Sequence, residues 1–102
     1  MILEVADIQI KAGQQADFEK AVLLALKTIF AKAEGFRGHQ FHHCIENPER
    51  YVLQLTWDTM EHHTVLFRGS ALFAEWRSLV SEHFSKPPYV EHFELVGAGA
   101  AP

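Results

Sequence analysis

The sequence has very little cysteine, no long apolar run and no excess of positive charge, and each shortage excludes a class of protein. Its one cysteine, Cys44, cannot form a disulfide within the chain, which excludes a disulfide-framed scaffold. No stretch approaches the roughly 20 apolar residues of a membrane span. Nine Lys and Arg against 13 Asp and Glu give a net charge of -4, which argues against a nucleic-acid surface. We therefore expect neither a membrane nor a nucleic acid as a partner.

Several catalytic and targeting motifs are also missing. The six glycines form neither GxGxxG nor GxxxxGK[ST], so no phosphate-binding loop is predicted. No GxSxG elbow is present. The first residues carry acids and no positively charged region, unlike a signal peptide, so we expect a cytoplasmic protein.

The chain has the size and composition of one small globular domain. It has 102 residues, of which 48% are hydrophobic, so a packed core is expected and disorder is not. We expect one domain over residues 1–96. The small, featureless residues 97–102 read as a flexible C-terminal tail.

The hydrophobic periodicity predicts an α+β fold. Alternation predicts four strands, whereas spacings of three and four residues predict one helix over Gln14–Ala33 and a second that is interrupted at Gly69. Asp58 or Thr59 can cap the second helix, with Glu61 completing a capping box. The strands are expected at Ile2–Ile10, Phe36–Ile45, Tyr51–Trp57 and Tyr89–Val96. This order is typical of the ferredoxin-like βαββαβ fold, an antiparallel four-stranded sheet with helices on one face.

The other face of that sheet has no predicted cover. If the second and third strands form a hairpin closed near Ile45 and Tyr51, alternation places one set of side chains on the face under the helices: Phe41, His43, Leu53, Leu55 and Trp57. The uncovered face then carries apolar side chains among polar ones, namely Leu3, Val5, Cys44 and Val52. A semi-apolar face open to water indicates an interface. We therefore expect a homodimer through this sheet face.

Seven histidines are an unusual number for this length, yet their spacing does not predict a metal site. His39, His42 and His43 lie on one strand, where neighbours point to opposite faces. No paired CxxC or HxxxH motif supplies four ligands, and no CxxCH attaches haem. We expect no metal and no other cofactor.

A pocket between the sheet and the second helix is the more promising prediction. Aromatic and aliphatic side chains are expected to meet there, and His43, His63 and Arg77 lie on the elements that surround them. Such a pocket suits a flat aromatic ligand. A His can take a phenolic proton near neutral pH, and an Arg can hold the resulting oxyanion. The alternative is that the aromatic residues, Phe41, Trp57, Phe73 and Trp76, are simply core.

Three segments resemble the antibiotic biosynthesis monooxygenase family: residues 57–64, residues 67–77 and residues 90–94. The resemblance runs from about Ile2 to Val96. It implies a dimeric α+β barrel. It also implies oxidation of an aromatic substrate by O2 without metal, flavin or haem.

The resemblance also assigns roles to individual positions. Trp57, Arg77 and His43 match a tryptophan, an arginine and a histidine of the family's monooxygenases. Leu53 stands where those enzymes have Asn, and His63 stands where a Tyr is expected.

Together these observations predict a cofactor-independent monooxygenase or oxidase acting on a small aromatic phenol or hydroquinone. The expected catalytic residues are His63, His43 and Arg77. The expected substrate-binding residues are Trp57, Phe41, Phe73, Trp76 and Leu53. Two alternatives stay open: a non-catalytic dimeric module that binds a small apolar metabolite, and a structural partner in a larger assembly.

Overall fold

Four strands and two α-helices follow one another in the predicted order in a computed structural model that describes all 102 residues. The strands are β1 (Ile2–Gln9), β2 (Phe36–His43), β3 (Arg50–Trp57) and β4 (Tyr89–Phe93). The helices are α1 (Gln15–Thr28) and α2 (Ala71–Val80), and a π-helical segment (His62–Phe67) precedes α2. Residues beyond Phe93 form neither helix nor strand. None of the helices has both the length and the apolar character needed to cross a bilayer.

The four strands form one antiparallel sheet in the order β2-β3-β1-β4. β1 therefore lies inside the sheet, between β3 and β4. The helices cover one face. The fold is the expected α+β, ferredoxin-like arrangement.

The β2–β3 pairing is shifted by two residues from the expected register, because His43 and not Ile45 lies opposite Tyr51. A tight turn explains the shift: the Asn47 carbonyl accepts from the Arg50 amide at 3.1 Å, and its side chain accepts from the Glu49 amide at 3.0 Å. A shift of two residues keeps every side chain on its predicted face, since the strand repeat is two.

The core lies between the inner sheet face and α1. The inner face buries every second residue of β1 and β3, and α1 buries a stripe at helical spacing: Phe18, Val22, Ala25 and Leu26. α1 ends at Thr28, earlier than the predicted Ala33, and a 3-10 turn follows at Phe30–Lys32. The turn places the Phe30 ring 5.0 Å from the rings of both Phe67 and Trp76, so it joins the two helical layers.

The start of the second helical region differs from the predicted capping box. The Asp58 carboxylate is held by Arg37 in two hydrogen bonds of 2.6 and 2.7 Å, so it does not cap. Thr59 takes that place, and its hydroxyl accepts from the His62 amide at 3.3 Å. The predicted interruption at Gly69 is present. Ser70 occupies the N-cap position of α2, although its hydroxyl donates to the Phe67 carbonyl instead of capping.

The outer sheet face is not covered by any element of this chain. Leu3, Val5 and Val52 are partly exposed there. Beside them Arg50 binds Asp7 on the neighbouring strand through two hydrogen bonds of 3.0 and 2.8 Å. The homodimer expected through this face stays a prediction.

Two glycines share one unusual backbone angle, which gives a matched test of packing at the start of β2. Gly13 and Gly35 both have φ of 80°, but a Cβ at Gly35 would overlap the His62 ring, whereas nothing lies within 4 Å of one at Gly13. We expect Gly13→Ala to lower the free energy of unfolding by about 1 kcal/mol, the cost of a left-handed alanine. Gly35→Ala should cost a further ~1–3 kcal/mol from the overlap.

Urea unfolding of both variants measures the difference directly. Equal losses of stability would show that the His62 ring moves aside without cost.

Candidate active site

A cavity of about 430 Å³ lies between the inner sheet face and the second helical region, and 10 of its 16 lining residues are hydrophobic. Its floor is aliphatic and comes from β1, β3 and β4: Ala6, Ile8, Leu53, Leu55 and Val90. Ala6 lies between Leu53 and Val90 on the neighbouring strands, so the smallest side chain of the floor is at its centre. Because the Ala6 side chain is a single methyl group, space for a ligand remains above the centre of the floor.

Aromatic side chains form the opposite wall. Phe73, Trp76 and Arg77 come from α2, where spacings of three and four residues place them on one face. Phe30 and Phe67 complete this wall. The Arg77 guanidinium lies 5.9 Å from the centre of the Phe73 ring, so its charge is held beside the aromatic surface.

The π-helical segment determines which side chains reach the inner end of the cavity. The Arg68 amide donates to the His63 carbonyl at 3.1 Å, five residues earlier, where an α-helix would bond four residues back. His63 and Phe67 are both buried on this segment, and Arg68 follows them at the exposed mouth. Such segments often occur at functional sites.

A buried polar network closes the inner end of the cavity. The Trp57 indole N–H donates to Glu4 Oε1 at 2.9 Å, and His63 Nε2 lies 3.3 Å from the same oxygen. His63 Nδ1 shares a hydrogen bond of 2.8 Å with His92 Nε2. The His63 ring also stacks on Trp57, with ring centres 5.4 Å apart. Side chains from four elements thus meet around one carboxyl group.

Burial changes the ionisation of this network. Loss of solvent raises the pKa of Glu4 to about 7, although the Trp57 hydrogen bond and the charge of Arg68 act in the other direction. The same loss of solvent, with Arg68 and His92, lowers the pKa of His63 to about 3. The pKa of His92 is also lowered, mainly by burial. His63 is therefore neutral near pH 7, while Glu4 titrates there.

The arginines divide into two pairs. Arg37 and Arg50 each bind an aspartate in a bidentate ion pair. Arg68 and Arg77 are exposed, line the cavity mouth and have no carboxylate within 4.0 Å. The only acid among the lining residues is Glu4, at the inner end. The cavity mouth is therefore positively charged in a chain whose net charge is negative.

Five of the predicted site residues line the cavity: His63, Arg77, Phe73, Trp76 and Leu53. Trp57 does not line it. Its ring is fully buried behind His63, where it orients Glu4 and does not offer a surface to a ligand.

His43 and Phe41 lie on the predicted face but outside the cavity. The His43 ring stacks on Tyr51 at 4.3 Å and donates to the Pro48 carbonyl at 2.8 Å, at the hairpin end of the sheet. Phe41 packs on Tyr51 and on Phe18 of α1. Because α1 covers this end of the sheet, neither side chain reaches the space under α2.

Three residues of the site were not predicted: Glu4, Arg68 and His92. A signal for Glu4 exists in the sequence, since it shares the apolar face of β1 with Ala6, Ile8 and Ile10 and is charged. A charged residue on a core-facing position is seldom buried without a partner. His92 is likewise a polar residue on the inner side of its strand, β4, but it is only partly buried.

The chain is similar to known proteins both in sequence and in fold. The family model described as antibiotic biosynthesis monooxygenase matches residues 1–79. The uncharacterised protein YczJ of Bacillus subtilis (strain 168) is 36% identical over 96 residues, which cover 94% of this chain and all of YczJ.

Solved structures are similar over almost the whole chain. A proposed antibiotic biosynthesis monooxygenase from Bordetella bronchiseptica is 45% identical, with a TM-score of 0.90, over 93% of this chain and 96% of that one. A point mutant of SnoaB, a cofactor-independent oxygenase from Streptomyces nogalater, has a TM-score of 0.80 at 15% identity, over 95% of this chain and 94% of that one. The second likeness is one of fold.

The raised pKa of Glu4 predicts a pH-dependent gain of stability in Glu4→Gln. Because the folded chain holds this proton more tightly than the unfolded chain, wild-type stability falls as pH rises from about 4.5 to about 7. Gln keeps an oxygen for the Trp57 hydrogen bond and carries no charge. The stability of the variant relative to the wild type should therefore rise over this range, by roughly 3 kcal/mol in all.

Urea unfolding at a series of pH values gives this difference. Glu94→Gln removes an exposed carboxylate that lies outside the network and corrects for the loss of one charge. A constant difference between Glu4→Gln and the wild type would contradict the raised pKa.

Proposed function

Because this chain belongs to the antibiotic biosynthesis monooxygenase family, we propose that it oxidises a small aromatic phenol or hydroquinone with O2 in the cavity under α2. One observation carries the proposal. Aromatic rings, two unpaired arginines and a buried Glu4–His63 pair line one cavity.

The shape and lining of the cavity support a flat aromatic substrate. Its volume of about 430 Å³ is within the usual range for small-molecule sites. The rings of Phe73 and Trp76 lie above an aliphatic floor, so a planar ring can pack between two apolar layers. The position of Leu53 in that floor adds apolar contact.

The arginines at the mouth support an ionised substrate. A phenol becomes a much better electron donor once it loses its proton, and a phenolate needs a cation nearby. Arg77 and Arg68 have no carboxylate partner of their own, so either guanidinium is free to bind the oxyanion. Arg77, the predicted anion contact, also lies beside the ring of Phe73.

The products of the proposed reaction depend on which substrate is oxidised. A hydroquinone that loses two electrons and two protons to O2 yields a quinone and hydrogen peroxide. A monooxygenase outcome leaves one oxygen atom in the product and the other in water. No cofactor is proposed, and the shared fold of the cofactor-independent oxygenase SnoaB supports that choice.

Of the two histidines predicted to be catalytic, we propose that only His63 takes part in the site. It lines the cavity, whereas His43 is held at the hairpin end by Tyr51 and Pro48. His63 acts together with Glu4, because its Nε2 faces that carboxyl group and its Nδ1 bonds to His92.

Oxygen consumption with a panel of hydroquinones and anthrones tests the proposed function. We expect the wild type to consume O2, and Arg77→Gln to lower kcat/KM about 10- to 100-fold through loss of the anion contact. Lys27→Gln removes a charge from exposed α1 surface and serves as the matched control. His63→Gln should slow turnover and His43→Gln should not.

A cavity-filling variant separates binding from chemistry. Ala6→Leu occupies the centre of the floor and should raise KM or abolish binding while Glu4 and His63 stay in place. Binding of phenols with no O2 consumption by the wild type would contradict an oxygenase and support the binding-module alternative.

We also propose that the chain works as a homodimer through the outer sheet face. The partly exposed Leu3, Val5 and Val52 lie among polar side chains on that face, and a two-fold axis would cover them with the same residues of a second chain. Light scattering should give twice the chain mass of 11.6 kDa.

Val5→Lys tests which surface forms the dimer. A lysine on β1 would place two charges in the interface, so the variant should be monomeric at micromolar concentration. Leu24→Lys makes a comparable change on the exposed surface of α1 and should stay dimeric. A wild-type monomer at that concentration would contradict the proposal.

A further inference from the structure

We propose that Glu4 is the catalytic acid and base of this site, taking the proton of the phenol and returning it to the reduced oxygen. The inference rests on the proposed function and adds to it the residue that moves the proton. Two observations support it: the carboxyl group of Glu4 lines the cavity, and only one of its two oxygens is in contact with other side chains.

Glu4 is the only carboxylate among the residues that line the cavity, and its side chain is only 7% exposed. Both of its contacts, from Trp57 and from His63, go to Oε1. Oε2 accepts no hydrogen bond from the chain. Every fully buried polar side-chain atom in the protein has a hydrogen-bond partner, so Oε2 is not fully buried. Oε2 is therefore open, and the space that Glu4 lines is the cavity.

The carboxyl group is held rigidly in this orientation. Glu4 lies on β1, inside the sheet, opposite Leu55 on one side and His92 on the other. The Trp57 indole N–H can only donate, so it holds Oε1 as an acceptor. Trp57 is on this view a positioning residue, since it touches Glu4 and does not line the cavity.

The groups around Glu4 suit a proton acceptor that works near neutral pH. His63 faces it from the π-helical segment and His92 from β4, the charge of Arg68 acts on it from just after that segment, and Arg77 lines the same cavity from α2. Burial raises the pKa of Glu4 to about 7, so both protonation states are available there.

His63 is less suited to be the base itself. Its Nε2 faces Glu4 and its Nδ1 is bonded to His92, so neither nitrogen is free for a substrate. Burial and the charge of Arg68 also lower its pKa to about 3. His63 thus stabilises the carboxyl group and depends on Glu4 for its part in the reaction.

Proton transfer through Glu4 accounts for all the protons and electrons when O2 oxidises a hydroquinone. Ionised Glu4 removes one O–H proton and becomes the neutral acid, leaving the hydroquinone monoanion. The monoanion passes two electrons and its second O–H proton to O2, forming quinone and the hydroperoxide anion. Glu4 then gives its proton to that anion, which yields hydrogen peroxide and regenerates the carboxylate.

Glu4→Gln tests the assignment, since Gln keeps the shape and the hydrogen bond from Trp57 but cannot take a proton. We expect kcat to fall at least about 100-fold, the usual contribution of general acid–base catalysis, with KM changed little. In the wild type kcat/KM should rise with pH through the pKa of Glu4, and the variant should lose that rise. Glu94→Gln, outside the cavity, should keep both the rate and the pH profile.

A conservative variant tests whether the loss of activity in Glu4→Gln comes from the missing carboxyl group or from a change in structure. Glu4→Asp should restore a measurable rate and a pH-dependent limb, because it keeps a carboxyl group at the same strand position. Circular dichroism of each variant confirms that the fold is intact.

The failure of this inference is distinguishable from the failure of the proposed function. If the wild type consumes O2 and Glu4→Gln keeps its kcat and pH profile, Glu4 is not the acid–base group and the oxygenase stands. If the wild type consumes no O2 with any phenol, hydroquinone or anthrone, the proposed function and the role of Glu4 both fall.

Discussion

The hydrogen bond from the Trp57 indole to Glu4 Oε1 is the interaction on which the site depends. It joins two neighbouring strands and holds a carboxyl group on a sheet face that is largely apolar. A buried carboxyl group is costly unless it is hydrogen-bonded or protonated. Here the chain supplies one firm hydrogen bond and a neutral histidine, and burial holds the pKa near 7. These contacts compensate the burial only in part, since Oε2 accepts no hydrogen bond from the chain.

The π-helical segment determines what surrounds that carboxyl group. With its bonds running five residues back, the segment buries His63 and Phe67 together and leaves Arg68 at the mouth. His63 then reaches Glu4 on one side and His92 on the other, so the segment, β1 and β4 are tied together at one point. The small side chain of Ala6 leaves the space in front of them open. Reactivity and an apolar binding surface thus come from neighbouring positions of the same sheet face.

The predictions for individual residues divide along the length of the sheet. Alternation placed His43, Phe41, Leu53 and Trp57 on the inner face, and all four lie there. Only Leu53 lines the cavity, because α1 covers the hairpin end of that face and the His63 ring covers Trp57. Glu4 lies on the same face and is not among the predicted site residues. A two-residue repeat tells which side a residue takes, but it contains no information on which helix lies above it.

Local periodicity and backbone preference were enough to predict the order of the elements, the faces of the strands and the break at Gly69. A shift of two residues in the β2–β3 pairing did not disturb the faces, for the same reason. The packing of the elements brings Glu4, His63 and His92 together and leaves Arg68 and Arg77 without carboxylate partners. A cavity is the space left between packed elements, and its lining depends on contacts between residues far apart in the chain, which no local pattern contains.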